Sequence, residues 1–155
     1  MNHGLDTDDL VCFYEQEFYP LSNFSSFRLR WVGIDFDTSE AAYHWEKFRG
    51  HPEIQGAILS ARSAHDAFRI SRQSGSLVDG SWRDRRVGVM RAILHAKVDQ
   101  HEYVHRKLME TRDRRLVENS WRDDFWGWGP DGCGQNQLGL LWTEIRSAIR
   151  ACRDF

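Results

Sequence analysis

The chain is 155 residues and 18.2 kDa, with 41% hydrophobic residues, 28% charged residues and a formal net charge of -2. That length fits about one domain and is enough to bury a core without staples, and the composition is too apolar and too aromatic for a disordered chain. No run of about 18 apolar residues exists to form a membrane span, and the near-neutral balance excludes a general nucleic-acid coat while leaving room for a local basic pocket. Lys47, Lys97 and Lys107 are the only lysines among 21 basic residues. The arginine excess suits planar, bidentate capture of phosphate or carboxylate, although genome composition also explains it. Cys12, Cys133 and Cys152 form no C-x-x-C pair. Free thiols in a reducing cytosol are the simplest account, and a cytoplasmic location is expected. Met1 to Asp9 carries three Asp and no basic apolar stretch, so no signal or transit peptide is expected. Residues 1–9 read as a flexible N-terminus and 10–155 as a single domain.

Leu10 to Tyr14 is a short apolar run and a candidate strand. Phe27, Leu29 and Trp31 alternate with Arg28 and Arg30, and Ile34 and Phe36 alternate with Asp35 and Asp37, with Gly33 between. These two runs predict a small hairpin. Ser39 offers an N-cap for a helix over Glu40 to Phe48 that ends near Gly50. Pro52 starts a second helix through about Ser60. Ser63-Ala-His-Asp66 resembles a capping box before a third. Val87, Met90, Leu94 and Val98 recur at helical spacing after Trp82. A further helix is expected over about Glu102 to Glu110, and Leu116-Val117-Glu118 is a strand or a helix end. Residues 119 to 136 carry Gly-punctuated loop signals and several Trp. Leu138, Leu141, Trp142, Ile145 and Ile149 mark one face of a C-terminal helix. The chain is therefore expected to be mainly α, with a small β element near the N-terminus.

Several constellations carry candidate chemistry. His101-Glu102-Tyr103-Val104-His105 matches H-E-x-x-H, which places two imidazoles one helical turn apart for zinc, with Glu as general base. Arg106 and Lys107 follow where such a helix is apolar, and the downstream Gly and third His are absent, so a solvated helix face is preferred and no metal site is expected. Glu40 and Lys47 are seven residues apart, nearly two helical turns, with His44 between them on the same face. The same placement suits the helix dipole, which is the plainer explanation. Trp82 and Arg86, one turn apart, read either as a stacking face with a phosphate clamp or as a core Trp beside a surface Arg. The segment from Phe125 to Asn136 is the hardest to explain as core. Its glycines permit close backbone approach to a ligand, Trp126 and Trp128 offer faces for a planar base, and Asp131 and Asn136 offer hydrogen bonds. A Gly-rich connection with one Trp plugging the core is the competing reading.

Together these segments resemble the YbiA-like family, also called NADAR, from about Tyr14 to Ile149. The resemblance rests on Leu21-Ser22-Asn23-Phe24, Thr38-Ser39-Glu40 with Lys47-Phe48, and Trp82 with Arg86, Val87 and Met90. It continues through Ala96-Lys97, Leu116-Val117-Glu118 and Trp126-Gly127-x-Gly129-x-Asp131-Gly132-x-Gly134-x-Asn136. Leu138-Gly139-x-Leu141 and Arg146 close it. It implies a compact, multi-helical YbiA-like fold and N-glycosidase activity without a cofactor. The implied substrate is a phosphoribosylamino-pyrimidine intermediate of riboflavin synthesis or an ADP-ribosyl-nucleobase. The implied partners are a nucleotide-like small molecule and ADP-ribosylated nucleic acid, with no membrane. Carried over as catalytic are Glu40, Lys47 and Asp131. Carried over as substrate-binding are Asn23, Trp82, Arg86, Trp126, Gly127 and Asn136. The chain departs from the family at Ala41, Ala42 and His44, where His, an aromatic and Gln are frequent. It departs again at Arg112 of Thr111-Arg112-Asp113 and at Trp142, and the first three departures bear on substrate preference.

In such a reaction Glu40 would stabilise positive charge at the anomeric carbon or activate water, Asn136 would meet the departing base, and Arg86 would anchor a phosphate. A second route has Lys47 capture the opened sugar aldehyde as a Schiff base. The competing classes are a non-catalytic nucleotide- or ADP-ribose-binding module and, less favoured, a zinc hydrolase using His101 and His105. Of the seven tryptophans, Trp31, Trp45 and Trp142 are expected in packing, and Trp82, Trp126 and Trp128 in base binding.

Overall fold

In the computed structural model, which describes residues 5–154, the chain runs β1 (Leu10–Phe13), β2 (Leu29–Trp31), β3 (Ile34–Phe36), α1 (Ser39–Glu46), α2 (Pro52–Leu59), α3 (Ala64–Gln73), α4 (Trp82–Gln100), α5 (Glu102–Glu110), β4 (Arg115–Glu118) and α6 (Gln137–Arg153), with 3-10 helices at Gln16–Leu21 and Gly75–Leu77. The expected mainly helical class is what the fold shows. The chain divides into two compact units: Asn23–His101 is one, and the segments up to Ser22 and from Glu102 onward form the other. Of the flexible segment expected over residues 1–9, residues 1–4 lie outside the described residues. Asp6 Oδ1 accepts from Cys12 N at 2.8 Å.

In the Asn23–His101 unit, β2 and β3 pair antiparallel with Leu29 opposite Phe36 and Trp31 opposite Ile34. The hairpin turns through Val32 and Gly33, both at positive φ (46° and 79°), the backbone that a two-residue connection of right-handed twist requires. Leu29 and Phe36 are buried while Arg30 and Asp35 are exposed, so the alternation seen in the sequence sets the buried face. Helix α1 starts one residue earlier than expected. Thr38, not Ser39, is its N-cap and accepts from Ala41 N at 3.1 Å. Ser39 turns inward instead, and its Oγ donates to Asn23 Oδ1 at 3.2 Å. Pro52 does open α2, and Ser63 Oγ accepts from Asp66 N at 3.1 Å ahead of α3, as the capping pattern predicts. Helix α1 is buried along almost its whole length, and the small side chains of Ala41 and Ala42 let α2, α3 and α4 pack close around it. Glu46 ties this packing together. One oxygen accepts from Trp31 Nε1 at 2.8 Å and the other from Arg49 Nε at 3.0 Å, with Arg85 at 3.5 Å.

Lys97, on α4, is fully buried, and its Nζ donates to Ser25 Oγ at 2.8 Å beneath the Phe27 ring. Burial pushes its pKa from 10.5 down to about 7. Between those two values the unfolded chain holds a proton here that the folded chain releases, so folding stability rises with pH across that window. Below the lower value both states are protonated and the dependence vanishes. The expected result is that chemical denaturation of wild type becomes harder from about pH 7 to about pH 9.5, while Lys97→Met loses that slope. Parallel slopes in the two proteins would contradict it.

In the other unit, β1 and β4 pair parallel, Leu10 opposite Arg115 and Phe13 opposite Glu118. The β element expected near the N-terminus is thus two separate pairs, and β1 takes its partner from beyond residue 114. Helix α6 packs on β4 through Leu138, Leu141, Trp142 and Ile145, all buried. Trp142 is fully buried, and its Nε1 donates to Leu21 O at 2.9 Å, which fixes the Gln16–Leu21 turn that the sequence pattern does not announce. Arg146 reaches Thr111 Oγ1 at 2.8 Å and Arg114 O at 3.0 Å. No helix among the described residues is long and apolar enough to cross a membrane.

Candidate active site

Helix α1 carries the most concentrated chemistry. Glu40 lies in its first turn, where the N-terminal dipole favours a carboxylate. Its backbone N donates to Asn23 O at 3.2 Å, so Asn23 anchors the residue from outside the helix. Both ends of the Asn23 amide are engaged: Oδ1 accepts from Ser39, and Nδ2 lies 3.3 Å from Met90 Sδ. One turn on, His44 Nε2 sits 2.6 Å from Glu40 Oε1, with the two side chains 3% and 9% exposed. The His44 ring packs against Tyr43 (centroids 5.2 Å apart) and Phe68 of α3 (5.8 Å). Burial holds His44 below the usual histidine range, against the pull of the Glu40 carboxylate and with a smaller push from Lys47.

Lys47 follows as the C-cap of α1. Its Nζ donates to Ser71 Oγ of α3 at 3.3 Å and lies 5.0 Å from the centre of the Tyr43 ring. Tyr43 in turn packs on Trp82, centroids 5.1 Å apart. Trp82 is only 7% exposed, with the Arg85 guanidinium 5.6 Å from its ring centre. Its ring is therefore well packed already, and Arg86 beside it is half-buried. Asn23, Glu40, Lys47, Trp82 and Arg86 thus belong to one unit, and Ser39, Tyr43 and His44 link the first four.

Trp126, Gly127, Asp131 and Asn136 belong to the other unit. Asp123 Oδ1 accepts from Phe125 N (2.9 Å) and Trp126 N (2.8 Å), which shapes the start of the loop. Trp126 is half-buried, its ring edge-on to Phe125. A Cβ on Gly127 would stand 2.9 Å from Glu118 O, so this glycine lets loop backbone lie on strand backbone. Asp131 is exposed and accepts from Cys133 N at 3.0 Å, a local turn. Asn136, at φ 51°, has its side-chain amide bound to β4: Oδ1 accepts from Glu118 N (3.0 Å) and Nδ2 donates to Leu116 O (2.8 Å). Trp128 Nε1 donates to Asn119 Oδ1 at 3.1 Å.

The H-E-x-x-H match does not become a zinc helix. His101 terminates α4 in extended backbone and its Nε2 is spent on Arg28 O, while α5 begins only at Glu102. Among the described residues no group of three or more His, Cys, Asp or Glu is placed to hold a metal. Ser71 and Phe68 escape a reading of the sequence, because only packing of α3 on α1 brings them to Lys47 and His44, whereas Tyr43 lies on α1 itself, between Glu40 and Lys47. His44 is visible in the sequence at four residues from Glu40, but its burial is not.

The NADAR domain model matches residues 12–150, nearly the whole chain and segments of both units. The chain belongs to the NADAR domain family. N-glycosidase YbiA of Escherichia coli is 30% identical over 144 residues, covering 92% of this chain and 89% of that protein. Riboflavin biosynthesis protein VVA0006 of Vibrio vulnificus is 35% identical over 130 residues, 84% of this chain. This NADAR chain spans only 35% of that longer protein. The NMR structure of E. coli YbiA matches with a TM-score of 0.85 at 29% identity, covering 96% of this chain and 89% of that one. The fold resemblance read from the sequence is thereby met in three dimensions.

Proposed function

We propose that this NADAR protein is an N-glycosidase that hydrolyses the bond between a ribosyl carbon and a base nitrogen in a nucleotide-like small molecule. The observation that carries the reading is the buried Glu40 carboxylate, set in the first turn of α1 and hydrogen-bonded by His44 at 2.6 Å. Relatives named N-glycosidase and riboflavin biosynthesis protein support the reaction class. Breaking the bond builds positive charge on the sugar, and a fixed carboxylate in a water-poor site stabilises it. Water adds to the anomeric carbon as the C–N bond breaks, and the proton it loses ends on the departing base nitrogen. Asn23 positions Glu40 through the backbone. Arg86 is assigned to the substrate phosphate and Trp82 to the base, and in the other unit Gly127 and Asn136 are assigned to the shape of the loop. The favoured substrate class is a phosphoribosylamino-pyrimidine of riboflavin synthesis, in keeping with the relatives' names.

Incubation with a panel of N-ribosides, ADP-ribosyl nucleobases and ADP-ribosylated oligonucleotides included, tests this through free base detected by mass spectrometry. Release from the pyrimidine intermediate is the expected result. Binding without release from any member would instead make the chain a binding module. Lys47 is checked separately. Borohydride added during turnover is expected to leave no adduct on Lys47 if hydrolysis is direct, and a trapped sugar on Lys47 would replace direct hydrolysis by the Schiff-base route.

A further inference from the structure

We propose that His44 is a positioning residue that acts as a neutral Nε2–H donor, holding Glu40 with Oε1 occupied and Oε2 turned to the reacting centre. This deepens the glycosidase reading and rests on it for the meaning of Glu40, but the hydrogen bond itself does not.

The argument is one of donors and acceptors. At 2.6 Å, His44 Nε2 and Glu40 Oε1 share one proton. His44 Nδ1 is buried and has no hydrogen-bond partner among the described residues. A proton on Nδ1 would leave a buried N–H with no acceptor and set the Nε2 lone pair against the carboxylate. A proton on Nε2 leaves only an acceptor unmet at Nδ1 and satisfies the charged oxygen. The surroundings disfavour a charged ring: Tyr43 and Phe68 cover it, Lys47 adds positive charge nearby, and Glu40 is the one opposing group. Among the described residues Glu40 Oε2 accepts no hydrogen bond, and the side chain retains 9% of its surface. That is the oxygen left to face substrate. A carboxylate pinned at one oxygen cannot swing, and misplacement of a reacting group by about 1 Å costs about 100-fold in rate.

The first test needs no substrate. Nitrogen-detected NMR of the His44 ring at neutral pH is expected to show a neutral ring protonated at Nε2. A charged ring, or a proton on Nδ1, overturns the proposal. The second test is kinetic. His44→Leu is expected to lose about 100-fold in kcat with KM within about threefold. His44→Gln, whose amide still donates to the carboxylate, recovers most of that loss. Equal losses in Leu and Gln variants that melt like wild type, or wild-type kcat in the Leu variant, overturn it. A Glu40→Gln variant with full turnover would refute the glycosidase role of Glu40, while the ring measurement still decides the hydrogen bond.

Discussion

Replacing Glu40 with Gln is expected to lower turnover by roughly 10²–10⁴-fold, with the melting temperature nearly unchanged. The two side chains have the same shape, and Gln Oε1 still accepts from His44 Nε2, so the buried hydrogen bond survives. Only the negative charge is removed. In water that charge would matter little, but Glu40 is 7% exposed and its field on a developing cation is weakly screened. Base release measured beside a thermal melt separates chemistry from folding. Near-wild-type release by a folded variant would remove Glu40 from the reaction and leave the family fold without the chemistry assigned to α1.

Gly139→Ala is expected to destabilise the protein by about 3 kcal/mol, the upper part of the range for overpacking a well-filled site. A Cβ at Gly139 would run into the Leu116 carbonyl oxygen of β4 and stand 2.5 Å and 2.6 Å from the Asn136 amide atoms. Neither obstacle is the loose end of a long side chain. Leu116 is held in the β1–β4 pair, and the Asn136 amide is bonded to Glu118 N and Leu116 O. Relief requires α6 to lift from β4, uncovering Leu138, Leu141, Trp142 and Ile145. Gly88 is the internal control. It sits in α4 with nothing within 4 Å of the place a Cβ would occupy, so Gly88→Ala is expected to stabilise by up to about 1 kcal/mol through helix propensity. Urea midpoints at constant slope measure both. A Gly139→Ala change within about 0.5 kcal/mol of wild type would contradict the packing argument.

Helix starts were legible because they depend on near neighbours. Ser63 three residues before Asp66, and Pro52 at a first turn, act locally whatever surrounds them. The one-residue error at Thr38 has a tertiary cause: Ser39 is drawn to Asn23, sixteen residues away. The hairpin from Leu29 to Phe36 was readable from its alternation. The parallel pair of β1 and β4 was not, since no local pattern names a partner that lies across residues 14–114. In the site, the spacing of Glu40, His44 and Lys47 placed all three along α1. The neighbours Phe68 and Ser71 are set by how α3 packs on α1.

By itself, then, the sequence determined the helix-rich class, the positions of its helices, the membership of a family and the carboxylate to which the chemistry is assigned. These depend on periodicity, caps and ordered motifs, all of which are properties of the chain as written. Only the tertiary structure decided what those residues are worth. It buried His44 against Glu40, packed Trp82 against Tyr43 and Arg85, buried Lys97 fully with Ser25 Oγ as acceptor and spent the Asn136 amide on β4. Burial and long-range partners set dielectric, protonation and which polar atoms remain available, and those arise only when distant segments meet.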